Sequence, residues 1–169
     1  MSEDVSSPAP SRDRLIEITL DDASIARAPK QIEHEREVAI YDIMDNNTFT
    51  LPDRAGDNSA GPYRLKLGLI EDKLAMAISN EAGEPVATHA LSLSPFRRIM
   101  KDYFLVLDSY YQAIRTSTPS RIEQIDMGRR GLHDEGSTIL MERLAGKVDI
   151  DFETARRLFT LVAALHWKG

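Results

Sequence analysis

Nine consecutive residues, Gly128-Arg129-Arg130-Gly131-Leu132-His133-Asp134-Glu135-Gly136, concentrate the side chains of this chain most able to do chemistry. On a helix, Arg129 and His133 are four residues apart and project together. With Arg130 they could bind an anion or a carboxylate, His133 changing its charge near neutral pH. Glu135 and His89 are the candidate acid or base for such a site. A purely structural account competes and carries the greater weight from sequence alone. Asp126, Arg130 and Asp134 follow one another at four-residue steps, an alternating ladder whose pairs contribute about 0.2–0.5 kcal/mol each without any ligand. The glycines at 128, 131 and 136 are the anomaly. Each costs a helix interior up to ~1 kcal/mol relative to alanine, so three in nine residues indicate a kink, a close backbone approach or a break into two helices.

Other chemistries lack their motifs. The chain has no cysteine, which removes disulfides, thiol nucleophiles and cysteine-ligated metals. There is no Gly-x-Ser-x-Gly elbow, no glycine-rich turn between a strand and a helix, and no His-x-x-x-His pair. No metal and no cofactor are therefore expected. His89 shares an alternating face with Leu91 and Leu93, which reads foremost as a core histidine, and His34 stands among glutamates, which reads as solvated.

Net charge is −6, and residues 1–60 hold 13 of the 27 acids but only 6 of the 21 bases. An acidic chain is poorly suited to phosphate neutralisation, so a nucleic-acid partner through Arg97, Arg98, Lys101, Arg115, Arg121, Arg129 and Arg130 is disfavoured. No apolar run approaches the ~20 residues of a membrane helix. Met1 to Arg14 also lacks the basic-then-apolar order of a signal peptide. The expected location is the cytoplasm, with no membrane partner.

The elements that must position these residues follow from periodicity. Residues 1–11, rich in Ser and Pro, read as a disordered tail, and residues 12–169 as one domain. Leu15–Leu20 reads as a strand burying Ile16, Ile18 and Leu20. A helix opening at Pro29 buries Ile32, Ala39, Ile40, Ile43 and Met44 and stops at Asn46-Asn47. Thr48–Leu51 reads as a short strand, and Pro52–Pro62 as a loop. Tyr63–Leu69, Leu74–Ile78 and Val86–Leu93 alternate as three consecutive antiparallel strands. Ser94-Pro95 is read as an N-cap followed by a first-turn proline. The helix it opens carries a seam of Phe96, Met100, Tyr103, Leu107, Tyr110 and Ile114. A helical segment over 119–145 ends at Gly146, and Asp151 caps a last helix burying Phe152, Ala155, Leu158, Phe159, Val162 and Leu165. The fold class is α+β: a mainly antiparallel four- to five-stranded sheet against one helix from the N-terminal half and three C-terminal helices.

The run Asp126-Met-Gly-Arg-Arg-Gly-Leu-His-Asp-Glu-Gly is followed by Asp151-Phe-Glu-Thr-Ala-Arg-Arg-Leu-Phe-Thr-Leu and a terminal Leu-His-Trp. Together they resemble a family of small uncharacterised alphaproteobacterial proteins over about residues 12–169. The resemblance implies a bacterial cytoplasmic protein and brings no activity, substrate or catalytic residue with it. Three functions stay open. The favoured one is a non-enzymatic adaptor or regulatory domain with a protein partner, or a homodimer formed through the aromatic seam of 96–114 or the last helix. The alternative is a small-molecule or anion-binding protein, or enzyme, that uses Arg129, Arg130 and His133. Nucleic-acid binding comes last.

Overall fold

The computed structural model describes residues 12–52 and 60–166. The expected tail at 1–11, most of the loop after Pro52 and the terminal Trp167 lie outside them. The elements are β1 (Leu15–Leu20), α1 (Lys30–Asp45), β2 (Tyr63–Ile70), β3 (Lys73–Ser79), β4 (Pro85–Ser92), a single 3-10 turn (Ser94–Phe96), α2 (Arg97–Thr116), α3 (Pro119–Leu144) and α4 (Phe152–Leu165). The α+β class holds.

The sheet has four strands in the order β1-β2-β3-β4. β2, β3 and β4 pair antiparallel, as their alternation and short turns require. β1 joins β2 in parallel, because α1 carries the chain across the sheet between them and a crossover of that length returns it in the same direction. The sheet is therefore mixed. A register shift between Leu15 and Glu17 leaves Ile16 as the extra residue of a bulge, so Leu15 and Ile18 are buried where strict alternation selects Ile16, Ile18 and Leu20. The expected strand at 48–51 reduces to one bridge, Thr50 to Asp149. Its neighbour Asn47 works as a substitute strand: its side-chain amide accepts from Leu15 N at 2.8 Å and donates to Leu15 O at 3.2 Å.

The core lies between the inner face of β2 and β3 (Leu65, Leu67, Leu74, Met76, Ile78) and the helices. α4 is its centre, with Thr154, Ala155, Leu158, Phe159 and the whole of Leu161–Leu165 buried. Cover thins at β4, where Leu91 is buried but Ala87 and His89 are only partly so.

Local signals govern the helix ends. Thr118 Oγ1 accepts from Arg121 N at 3.3 Å ahead of Pro119, and Asp151 accepts from Thr154 N at 2.8 Å. Gly146 takes φ = +82° just past α3, the left-handed position that ends helices. Ser94 does not cap α2. The chain enters α2 through the 3-10 turn, with Phe96 N bonded to Leu93 O.

Among the glycines of α3, only Gly136 has a packing reason. A Cβ there would lie 2.6 Å from Phe159 Cδ1 and closer still to Cε1 and Cζ, whereas one at Gly128 or Gly131 would meet open space. The segment is a single helix with one close approach.

Arg36 replaces an apolar residue in the buried stripe of α1 (Ile32, Arg36, Ala39, Ile43). Its Nε donates to Ala164 O at 3.1 Å, and its Nη1 donates to Ala26 O at 3.0 Å and to Glu33 Oε2 at 3.2 Å. It thereby donates to a carbonyl in the last turn of α4, where helix geometry supplies few backbone donors. Burial lowers its pKa and the Glu33 charge raises it.

Candidate functional site

α1, α3 and α4 enclose a cleft of about 380 Å³. α3 supplies Arg129, Arg130 and His133, three of the five residues singled out from sequence. α4 supplies Glu153, Arg156, Arg157 and Thr160, and α1 supplies Glu35, Val38 and Asp42.

His133 is set by aromatic packing. The Gly136 contact brings α3 against Phe159, one turn along from His133. The imidazole lies 5.4 Å from the Tyr103 ring and 6.2 Å, edge-on, from the Phe159 ring. Burial, and then the positive charges of Arg156 and Arg129, push its pKa down to about 4, so it is neutral at physiological pH. Thr160 Oγ1 donates to Arg156 O at 3.1 Å and lies 3.3 Å from His133 Nε2.

The arginines are held by their own walls. Arg129 Nη2 donates to Asp126 Oδ1 at 2.7 Å, and Arg130 Nη2 pairs with Asp126 Oδ2 at 3.0 Å. The hydrogen bond from Arg129 holds the Asp126 carboxyl below its ordinary range. The Arg129 guanidinium also lies 4.8 Å over the Tyr110 ring. Arg157 Nη1 donates to Asn46 O at 2.7 Å. Arg156 Nε stands 3.5 Å from Asp134 Oδ1, an ion pair without hydrogen-bond geometry. Arg129 Nε and Arg156 Nε are both shielded from solvent and have no hydrogen-bond partner. Such donors normally find acceptors.

On the opposite wall, Glu35 accepts a hydrogen bond on each oxygen, from Tyr103 Oη at 3.1 Å and Tyr111 Oη at 3.0 Å. Burial and then the Glu35 charge raise both phenol pKa values, that of Tyr111 to about 12. Both tyrosines therefore remain donors at physiological pH.

The remaining predicted residues are elsewhere. Glu135 pairs with Arg98 of α2 at 2.5 Å. His89 stays on β4, partly buried, opposite Met76 of β3 and outside the cleft. The charge ladder forms only at Asp126–Arg130, since Asp134 turns to Arg156. Sequence reasoning missed the walls from α1 and α4. Their signals, Glu35/Val38/Asp42 at steps of three and four and Arg156/Thr160 at a step of four, look like ordinary solvated faces. Among the described residues, no three His, Asp or Glu side chains converge as a metal site.

A model of an uncharacterised protein family (UPF0262) matches residues 12–168. The UPF0262 protein of Chelativorans sp. (strain BNC1) is 61% identical over 155 residues, which is 92% of this chain and 94% of that protein. That of Rhodopseudomonas palustris (strain BisB5) is 60% identical over 164 residues, 97% and 98% of the two chains. That of Brucella anthropi is 59% identical over 156 residues, 92% and 95%. No solved structure matches.

Proposed function

Since the chain belongs to the uncharacterised family UPF0262, which assigns it no activity, we propose from its geometry a small cytoplasmic regulatory domain that binds an anionic small molecule in the α1–α3–α4 cleft. The observation that carries this reading is the convergence of Arg129, Arg130 and Arg156 beside a neutral imidazole in the lining of one cleft. Carboxylate or phosphate oxygens match the planar guanidinium fork of such side chains. The charges of Arg156 and Arg129, which add to burial in depressing the His133 pKa, would also act on an anion there.

Thermal unfolding with ethyl phosphate, inorganic phosphate and glutarate tests the reading. A ligand at 100 times its Kd adds about 2.7 kcal/mol to native stability. Wild type should be stabilised by at least one probe and an Arg129→Ala/Arg156→Ala variant by none. Equal responses in the two proteins would refute it.

Self-association is a second part of the proposal, and β4 is the surface that supports it. Most of the aromatic seam (Met100, Tyr103, Leu107) and most of α4 are committed to the protein's own core. β4 pairs on one side only, with β3, and Pro85–Ser92 contains no Lys, Arg, Asp or Glu, the charges that commonly guard an edge strand. Light scattering after size exclusion should give twice the 19.0 kDa chain mass; a monomer mass at high concentration would remove this part. No helix among the described residues is long and apolar enough to cross a membrane, which is compatible with the proposed location.

A further inference from the structure

The two sides of the cleft differ in charge: Glu35 and Asp42 project from α1, whereas arginines dominate α3 and α4, with Glu153 the one acid that α4 adds to the lining. On α1, Glu35, Val38 and Asp42 are three and four residues apart and share a face, with the apolar side chain between the two acids. On α3 and α4, Arg129, Arg130 and Arg156 take their ion-pair partners from their own side, Asp126 and Asp134. Among the described residues, no pair within 4.0 Å joins Glu35 or Asp42 to an arginine across the gap. Glu35 is pinned in place by Tyr103 and Tyr111, so the acidic wall is not free to swing over and close the gap.

This arrangement discriminates by charge. A dianion that meets the arginines would put its second charge against Glu35 and Asp42, and a cation would face the arginines. A molecule with one anionic end and one ammonium end satisfies both walls, and a cleft of about 380 Å³ lies near the small end of small-molecule sites, which span roughly 300–1,000 Å³. Building on the anion reading above, we propose that the ligand is a small zwitterion. Its anionic group sits on Arg129 and Arg156 beside His133, its ammonium on an α1 carboxylate, the exposed Asp42 before the tyrosine-bound Glu35, and its short carbon chain over Val38.

Calorimetric titration of the full chain with ethyl phosphate and propyl phosphate, against 2-aminoethyl phosphate and 3-aminopropyl phosphate, tests this. The anion is constant and only the ammonium is added. At least one amino compound should bind about tenfold tighter than its plain counterpart, as expected for a charge-assisted contact. In Asp42→Asn, which keeps size and removes charge at an exposed position, that advantage should fall to within about twofold, while affinity for the plain phosphates does not fall. Arg129→Ala/Arg156→Ala should lose both classes. If the amino compounds bind no better than the plain ones in wild type, the zwitterion proposal is overturned and the anion reading stands. If neither class binds, both are overturned. If the advantage survives in Asp42→Asn and also in Glu35→Gln, the ammonium site is not the α1 wall and the proposal fails.

Discussion

Alanine substitution at the three glycines of α3 separates a packing requirement from a conformational liability within one helix. At Gly136 the added methyl would lie 2.6 Å or less from three carbons of the Phe159 ring. That ring is fully buried, with Phe96, Tyr103 and His133 ring centroids 6.2–6.3 Å away, so it has nowhere to go. Overpacking of this kind costs about 1–3 kcal/mol, and a methyl against three carbons of one buried ring belongs at the upper end of that range; the better helix propensity of alanine returns at most ~1 kcal/mol, leaving a net loss of about 2 kcal/mol. At Gly128 and Gly131 the methyl meets open space, so only the propensity term remains, a gain of about 0.5–1 kcal/mol each. For a chain of this size 1 kcal/mol moves Tm by about 2–4 °C. Differential scanning calorimetry should place Gly136→Ala below wild type and Gly128→Ala and Gly131→Ala above it. A Gly136→Ala protein as stable as wild type would refute the close-approach argument, and a destabilised Gly131→Ala would refute the open-space one.

Two further predictions concern buried charge. His133 is neutral in the native protein down to about pH 4, whereas the unfolded chain takes up a proton near 6.5. Between those values the unfolded state binds more protons, so stability is fully present above pH 6.5, falls as pH drops, and is lost by about pH 4. The whole interval, about 2.5 pH units, is worth at most about 3.4 kcal/mol at ~1.36 kcal/mol per pH unit. Urea midpoints measured across pH 4–7 should show this slope in wild type and a flatter one in His133→Gln; parallel slopes would mean that His133 is not the group responsible. Arg36→Ala should cost about 3 kcal/mol, because it strands the Ala164 and Ala26 carbonyls and opens a void in the α1 stripe. A denaturation midpoint within error of wild type would count against that strut.

The parts of the fold legible in the sequence are those written locally. The β2–β4 meander was readable because each strand has one buried face and short turns fix the pairing direction. The caps at Asp151 and Gly146 were readable because the capping residue and its helix are adjacent. The parallel pairing of β1 was not, since its direction depends on where α1 crosses the sheet. Arg36 was missed because its main partner, Ala164 O, is 128 residues away; a charged residue in an apolar stripe makes sense only once that carbonyl is in place. The three glycines of α3 look alike in the sequence, and only the Phe159 ring distinguishes Gly136. For the site, the i, i+4 spacing was enough to bring Arg129 and His133 together on one wall. Glu135 fell away because its partner Arg98 lies on another helix, and the facing acidic wall required knowing that α1 packs on α4.

The most direct test of the binding claim is an NMR titration with ethyl phosphate that follows the Nε–H resonances of Arg129 and Arg156 together with the His133 ring. An anion seated at these groups should move both arginine resonances along one saturable curve. It should also raise the His133 pKa from about 4, because a neighbouring negative charge favours the imidazolium. Resonances and a His133 titration unchanged by millimolar ethyl phosphate, inorganic phosphate or glutarate would contradict the assignment of this cleft as an anion site.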